Sequence, residues 1–307
     1  MDANAEPAEP RMKAVRDAMQ HCGRARGLFV GLATIDLVYN VERFPAANTK
    51  VEASSQAVYV GGPATNAAIA FRHLGGEAAL AAAVGSHALA GVVRAELDQY
   101  GVRLADLNAE FSGVPSISSV VVDDEGRRTV VSANAARMGA SSAAPDVELC
   151  AWADVVEVDG HQMEACQQWA RAARAKGVHV VMDGGSWKHG TEDLLAHVDT
   201  IVCSADFCPP GCADEEETMG WLAAHGVAQI AITHGAGPVR WLRGAEAGLI
   251  EPPRVEAVDT MGAGDIFHGV FCFAWAEGRG FVEALGEAAR VASESCRFHG
   301  TRAWMER

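Results

Sequence analysis

Lysine and arginine are scarce: 25 stand against 40 aspartates and glutamates, a formal charge of −15 over 307 residues. No stretch gathers them into a patch. Nucleic-acid binding draws most of its affinity from neutralised phosphates, so a polyanionic partner is excluded and any positive potential has to be local. Membrane-spanning runs are missing too, since no apolar stretch reaches the roughly 18 residues a helix needs to cross a bilayer. The eight cysteines, at 22, 150, 166, 203, 208, 212, 272 and 296, form no double CxxC and no Cys/His set at zinc-finger spacing. Cys203, Cys208 and Cys212 around Pro209-Pro210-Gly211 come nearest to a metal pattern and read as an ordinary loop. Scattered, reduced thiols point to the cytoplasm. Met1 to Arg26 has no apolar core of a secretion signal and reads as an extension, frayed or folded into a short surface helix.

Apolar residues make up 49% of the chain, enough for one large core. Leu28 to Leu32 reads as the first buried strand. From Val155 onward, apolar runs (Val155 to Val158, Val178 to Met182, Thr200 to Cys203, Ile230 to Thr233) alternate with helical stretches such as Met163 to Lys176. Alternation of this kind demands parallel strands and right-handed crossovers, hence a doubly wound α/β sheet whose ligands sit at the carboxyl ends of strands. Two segments break the pattern. Val38 to Val60 and Pro115 to Val131 are β-rich, with Asp123 to Gly126 as a hairpin turn, and together predict a small lid sheet over about 38–60 and 112–132. The alanine-rich stretches at Ala78 to Ala83 and Ala133 to Ala144 read as compositional only.

Asp259-Thr260-Met261-Gly262-Ala263-Gly264-Asp265 runs straight into the apolar helix pattern Ile266 to Trp275. Small residues entering a helix leave unpaired N–H groups pointing one way with the helix dipole behind them, which makes an anion site. A carboxylate beside bound phosphate repels it. Asp265 makes sense there if it takes a proton from a hydroxyl that attacks the phosphate. The plainer reading is a glycine turn with Asp265 as a first-turn cap. No GxxxxGK[ST] occurs, and Gly31-Leu32-Ala33-Thr34 lacks the glycines of a dinucleotide fingerprint.

The segment DTMGAGD resembles the second signature of the ribokinase (PfkB) family of carbohydrate kinases. Gly61-Gly62-Pro63-Ala64-Thr65-Asn66, with Gly75 and Gly85 beyond, resembles the first. The two stand in the right order about 200 residues apart. The resemblance implies a ribokinase-like fold over 27–303, with 1–26 and 304–307 outside it, and ATP-dependent transfer to a sugar hydroxyl. It assigns Asp265 as base and Gly262, Ala263 and Gly264 as the anion hole; Val270, where the signature usually has alanine or glycine, departs from it. Asp36, Gly61, Gly62 and Asn66 are implied on the sugar, with His161 and, as in sulfosugar kinases, Lys50 as further substrate contacts.

Thr233-His234-Gly235-Ala236-Gly237-Pro238 is similar to the family's TxGxxG turn, with Pro238 in place of the last glycine. Thr233, Gly235, Gly237, Ser204 and His268 are the implied nucleotide contacts. The family's magnesium-organising NxxE is replaced by Ser204-Ala205-Asp206-Phe207, as in the ketohexokinase-like and sulfosugar-kinase-like branch, which leaves magnesium to ATP, water and Asp206. A potassium site near Asp259 and a homodimer through the lid are further implications. Two rivals remain: a nucleoside kinase of the same fold, for which Phe44 and Tyr59 are the available stacking rings, and a non-catalytic sugar sensor, against which the intact GAGD argues.

Overall fold

The computed structural model describes residues 23–133 and 144–306. The first 22 residues and most of the second alanine-rich stretch therefore lie outside the described residues.

Nine strands form the main sheet, in the order β13-β12-β11-β10-β9-β8-β1-β4-β5. β1 (Arg26–Val30) lies at its centre, parallel to β4 (Glu77–Ala82) on one side and β8 (Val155–Val158) on the other. β9 (His179–Gly184), β10 (Thr200–Ser204) and β11 (Gln229–His234) continue the parallel series, and β5 (Val102–Asp106) ends it. β12 (Gly237–Arg243) and β13 (Glu246–Ile250) close the other edge as an antiparallel ribbon. The parallel strands are apolar on both faces because helices cover both. One face packs on α1 (Pro63–His73), α7 (Ala263–Ala276) and α8 (Phe281–Ser295), around Phe29, Phe71, Phe271 and Phe281. The other packs on α3 (Val147–Trp152) and α4 (Met163–Ala175), around Leu28, Cys166, Trp169 and Met182. α2 (Ala90–Tyr100), α5 (Thr191–Leu195) and α6 (Glu215–Ala224) complete the described α-helices, and a 3-10 helix spans Ala303–Glu306.

The Ala78 to Ala83 stretch is more than composition. It forms β4, with Ala79 to Ala82 fully buried beside β1. Alanine carries little strand propensity, so the sequence pattern is silent there; burial between two helical layers makes the strand.

A second sheet of four strands has the order β3-β2-β6-β7. β2 (Thr34–Val41) pairs antiparallel with β3 (Ser55–Gly61) and parallel with β6 (Ile117–Asp123), and β7 (Arg128–Ser132) returns by a hairpin in which the Gly126 amide donates to Asp123 O at 2.9 Å. This sheet starts at Thr34, so Asp36 lies in a strand of it and not in the loop after β1.

Candidate active site

Both sheets meet where β1 hands over to β2 and β3 hands over to α1. Asp159, directly after β8 and 1% exposed, holds this junction. Its Oδ2 accepts from the Leu32 amide at 2.8 Å and the Ala64 amide at 3.3 Å, and its Oδ1 from the His161 amide at 2.9 Å. Thr65 Oγ1 adds a bond to Leu32 O at 3.0 Å. One buried carboxylate thus ties the loop after β1 to the first turn of α1.

Asp36 faces Tyr59 across the β2/β3 ladder, and its carboxylate lies over Gly61. A Cβ on Gly61 would stand 1.9 Å from Asp36 Oδ2, so the absence of a side chain there is what lets the carboxylate lie down. Burial pushes the Asp36 carboxyl up, against the pull of the Ser118 hydroxyl and of Arg302.

Opposite lies the glycine turn. Gly262, at φ 68°, caps α7, and a Cβ there would meet the Thr301 methyl at 2.6 Å. The Ala263 amide donates to Thr260 O and the Ile266 amide to Gly262 O, while those of Gly264 and Asp265 have no backbone acceptor among the described residues. Gly264 is exposed and borders open space. These two amides stand free at a helix start, where the positive end of the helix dipole lies behind them. Asp259 shapes the turn, accepting from the Met261 amide with Oδ1 at 2.9 Å and from the Gly300 amide with Oδ2 at 2.8 Å.

Asp265 stands at the first turn of α7, and its Oδ2 accepts from Asn66 Nδ2 at 2.6 Å. Burial, with Asp183 as the next largest cause, pushes its carboxyl up to about 7, against the pull of the Asn66 donor and of His268. Asn66 is 4% exposed, and its Oδ1 receives Arg302 Nη1 at 2.8 Å. Expected on the sugar, it spends both amide atoms inside the protein, and its neighbour at the site is the Asp265 carboxylate. His268, expected beside the nucleotide, is 5% exposed, with Nδ1 facing Gly264 O at 2.8 Å and Nε2 facing Val202 O at 3.2 Å. It props α7 on β10 from beneath, because both ring nitrogens are engaged by backbone carbonyls.

The other expected nucleotide residues lie together at the ends of β10 and β11. Thr233 Oγ1 donates to Cys203 O at 3.2 Å, and Gly235 and Ala236 form the tight turn from β11 into β12. Pro238 lies where the β11/β12 register shifts, between the pairs Ile232–Arg240 and His234–Gly237; His234 Nδ1 bonds its carbonyl at 2.7 Å while His234 Nε2 pairs with Glu215. Ser204 Oγ donates to Gly185 O at 2.8 Å and accepts from the Asp206 amide at 3.2 Å, leaving the Asp206 carboxylate exposed. Lys50 is exposed in the loop between β2 and β3, and the half-buried His161 opens the loop after β8.

Sequence reasoning passed over Asp159, Asp183, Glu157 and Arg302. Asp159 and Asp183 had a signal, since each stands at the carboxyl end of a strand named from its apolar run. Asp183 is 8% exposed and its Oδ2 lies 3.6 Å from His268 Nδ1. Glu157 had none: it interrupts an apolar run, is fully buried, and neither carboxyl oxygen has a hydrogen-bond partner among the described residues. Desolvation, then Asp183, Asp159 and Asp265, push its carboxyl well up.

The profile described as pfkB family carbohydrate kinase matches residues 25–307. The ATP-dependent ribose-1-phosphate kinase of Halopiger xanaduensis is 27% identical over 254 residues, covering 81% of this chain and 84% of that protein. Ribokinase of Bacillus subtilis is 26% identical over 276 residues, covering 88% and 92%. Among solved structures, a candidate ribokinase from Agrobacterium tumefaciens superposes with a TM-score of 0.82 at 27% identity, over 93% of this chain and all of that one.

Proposed function

The chain belongs to the pfkB family of carbohydrate kinases, and from that premise we propose that it moves the terminal phosphoryl group of ATP onto a hydroxyl of a sugar or sugar derivative, with Asp265 as the base. At the coarser level it is a sugar or nucleoside kinase of the PfkB/ribokinase type. The observation that carries the finer reading is Asp265 beside the free amides of Gly264 and of its own backbone. A phosphoryl group seated on those amides lies within reach of the carboxylate, and a hydroxyl entering from the lid side meets both.

Phosphoryl transition states are loose, so alignment and charge stabilisation outweigh base strength. The chain's own residues divide that work. Asp36, over Gly61 and next to the Gly61-Gly62 turn, accepts hydrogen bonds from sugar hydroxyls, with His161 and Lys50 as further contacts. Asn66 orients Asp265, which takes the hydroxyl proton as the oxygen attacks. Gly262 holds the turn, and the α7 amides stabilise charge on the phosphoryl oxygens. Thr233, Gly235, Gly237 and Ser204 border the nucleotide.

Magnesium commonly binds kinases through one or two carboxylates plus substrate phosphates. No set of three or more His, Cys, Asp or Glu side chains suited to a metal occurs among the described residues. The exposed Asp206 fits the smaller requirement, and with the phosphates and water would hold the ion that neutralises them.

Of the lid aromatics Tyr39, Phe44 and Tyr59, the two expected to stack on a base, Phe44 and Tyr59, are engaged within the protein, which supports a sugar over a nucleobase. Arg127 lies over the Phe44 ring at 5.8 Å, and the Tyr59 hydroxyl packs against Gly300. The lid also exposes Val58, Val130 and Val131, at 56%, 52% and 71%. That apolar surface supports a homodimer through the lid. A cytoplasmic location accords with this reading, and no described helix is long and apolar enough to cross a membrane.

The test is ADP release with ATP and magnesium across ketohexoses, pentoses, sugar phosphates, sulfosugars and nucleosides, with Asp265→Asn as control. Turnover on one sugar that the substitution abolishes supports the scheme; turnover confined to nucleosides overturns the sugar reading.

A further inference from the structure

Arg302 is the only lysine or arginine buried below a tenth exposure among the described residues. Its guanidinium is consumed on every edge. Nη1 donates to Asn66 Oδ1 and Thr301 Oγ1, both at 2.8 Å; Nη2 donates to Val60 O at 2.7 Å; and Nε donates to Glu96 Oε1 at 3.1 Å. The second oxygen of Glu96 accepts from the Val60 amide at 3.0 Å. Arg302 and Glu96 therefore bracket both peptide groups of Val60, the residue through which lid strand β3 enters Gly61-Gly62. The same terminal segment presses the Thr301 methyl against Gly262 and Gly300 against Tyr59.

An asparagine amide can present either its oxygen or its nitrogen to a neighbour, and only its partners decide which. A guanidinium has donors and no acceptor, so it takes the oxygen side. With Oδ1 held by Arg302, the NH₂ group of Asn66 has to face Asp265, where it makes the 2.6 Å bond. We propose that Arg302 is a positioning residue for phosphoryl transfer, locking Asn66 in the orientation that aims its amide donor at Asp265 and joining the lid strand to the base through one cation. The proposal rests on the reading of Asp265 as base.

Asp265 faces charged or titratable groups from every side. Asp183 comes from β9, Asp159 and Glu157 from β8 and its end, and His268 from its own helix. Against those carboxylates the Asn66 amide is a donor that favours the ionised form. Freed from Arg302, the amide can turn its oxygen toward Asp265 and convert that donor into a repulsive lone pair.

The experiment compares Arg302→Met, Arg302→Lys, Asn66→Leu and the Arg302→Met/Asn66→Leu double variant, all in the full chain, by pH profiles of kcat/KM for the sugar together with KM for ATP. Thermal melts accompany each. Arg302→Met keeps the packed stem and is expected to lose about 10- to 10²-fold in kcat/KM. Its acid limb should move to higher pH by about half a unit or more, with KM for ATP unchanged. Arg302→Lys restores part of both, and the double variant is no worse than Asn66→Leu alone, as coupled residues require. An acid limb that stays in place in Arg302→Met, or losses that add in the double variant, overturns the proposal. If Arg302→Met melts below assay temperature, Arg302→Lys decides: a wild-type profile in it refutes the fork-specific role. Asp265→Asn run alongside separates the two ideas, since retained turnover there removes the base itself, whereas a dead Asp265→Asn with an unmoved Arg302→Met profile removes only the clamp.

Discussion

The two halves of the candidate site are held in different ways. Around Asp36, Asn66 and Asp265, the contacts join residues far apart in the chain: Asn66 to Asp265, Arg302 to Asn66 and Val60, Asp159 to Leu32 and Ala64. Around Thr233, Gly235 and Ser204, they are turns and neighbouring strand ends, with exposed positions between them. The first half is a preorganised frame, and under the proposed function it sets the position of the reacting atoms. The second is a backbone ledge, the side on which the proposed function seats the nucleotide against main chain, and there one side chain more or less should change little. Function should therefore fail steeply on the first side and gently on the second.

The steepest break is Asp265→Asn, expected to lose about 10²- to 10⁴-fold in kcat while ATP binding, followed by titration of the nucleotide, persists. Near-normal turnover would remove the difference between the halves at its source. Next is Gly61→Ala. Its Cβ would land on Asp36 Oδ2, so the carboxylate or the strand has to move. A displacement of about 1 Å predicts a fall of about 10²-fold in kcat/KM for the sugar, with KM for ATP little changed.

The comparison sharpens with pH. Because the Asp265 carboxyl is pushed up to about 7 and the proposed base is its ionised form, kcat/KM should fall about tenfold per unit below pH 7 and level off above it. Nucleotide binding, which uses no group of this kind on the ledge, should not follow that limb. On the ledge itself, Pro238→Gly restores the glycine that the turn otherwise lacks, and KM for ATP should stay within about threefold of the parent, because His234 holds the Pro238 carbonyl whatever side chain stands there.

The smallest effect concerns stability. Glu157 is buried, has no hydrogen-bond partner among the described residues, and is pushed well above its ordinary 4.5. A carboxyl with a raised folded-state value binds its proton more tightly when folded, so stability is full below the unfolded value and is lost as pH rises through the folded one. Glu157→Gln should match the parent in a thermal melt at pH 4.5 and exceed it by about 2 °C or more at pH 8. A parent that melts higher at pH 8 would show that the buried carboxyl has a partner worth more than its desolvation cost.

Much of this molecule was legible in one dimension. The apolar runs at Leu28, Val155, Val178, Thr200 and Ile230 became β1, β8, β9, β10 and β11, because a parallel strand covered on both faces has to be apolar throughout. The hairpin at Asp123 to Gly126 and the glycine turn before α7 were equally local, written in residues whose backbone preferences need no distant partner. β4 escaped because alanine in a strand is stabilised by what packs on it. Asn66 was visible as a polar residue at a helix start, and its task was not, since that depends on Arg302, 236 positions away. By itself the sequence determined the α/β class, the two glycine turns and the carboxylate beside the second, all matters of local propensity and short spacing. Tertiary structure alone decided which side of Asn66 faces Asp265, that the C-terminal segment braces the lid, and that four carboxyls crowd one set of strand ends. Hydrogen-bond direction, burial and charge proximity are properties of residues brought together in space.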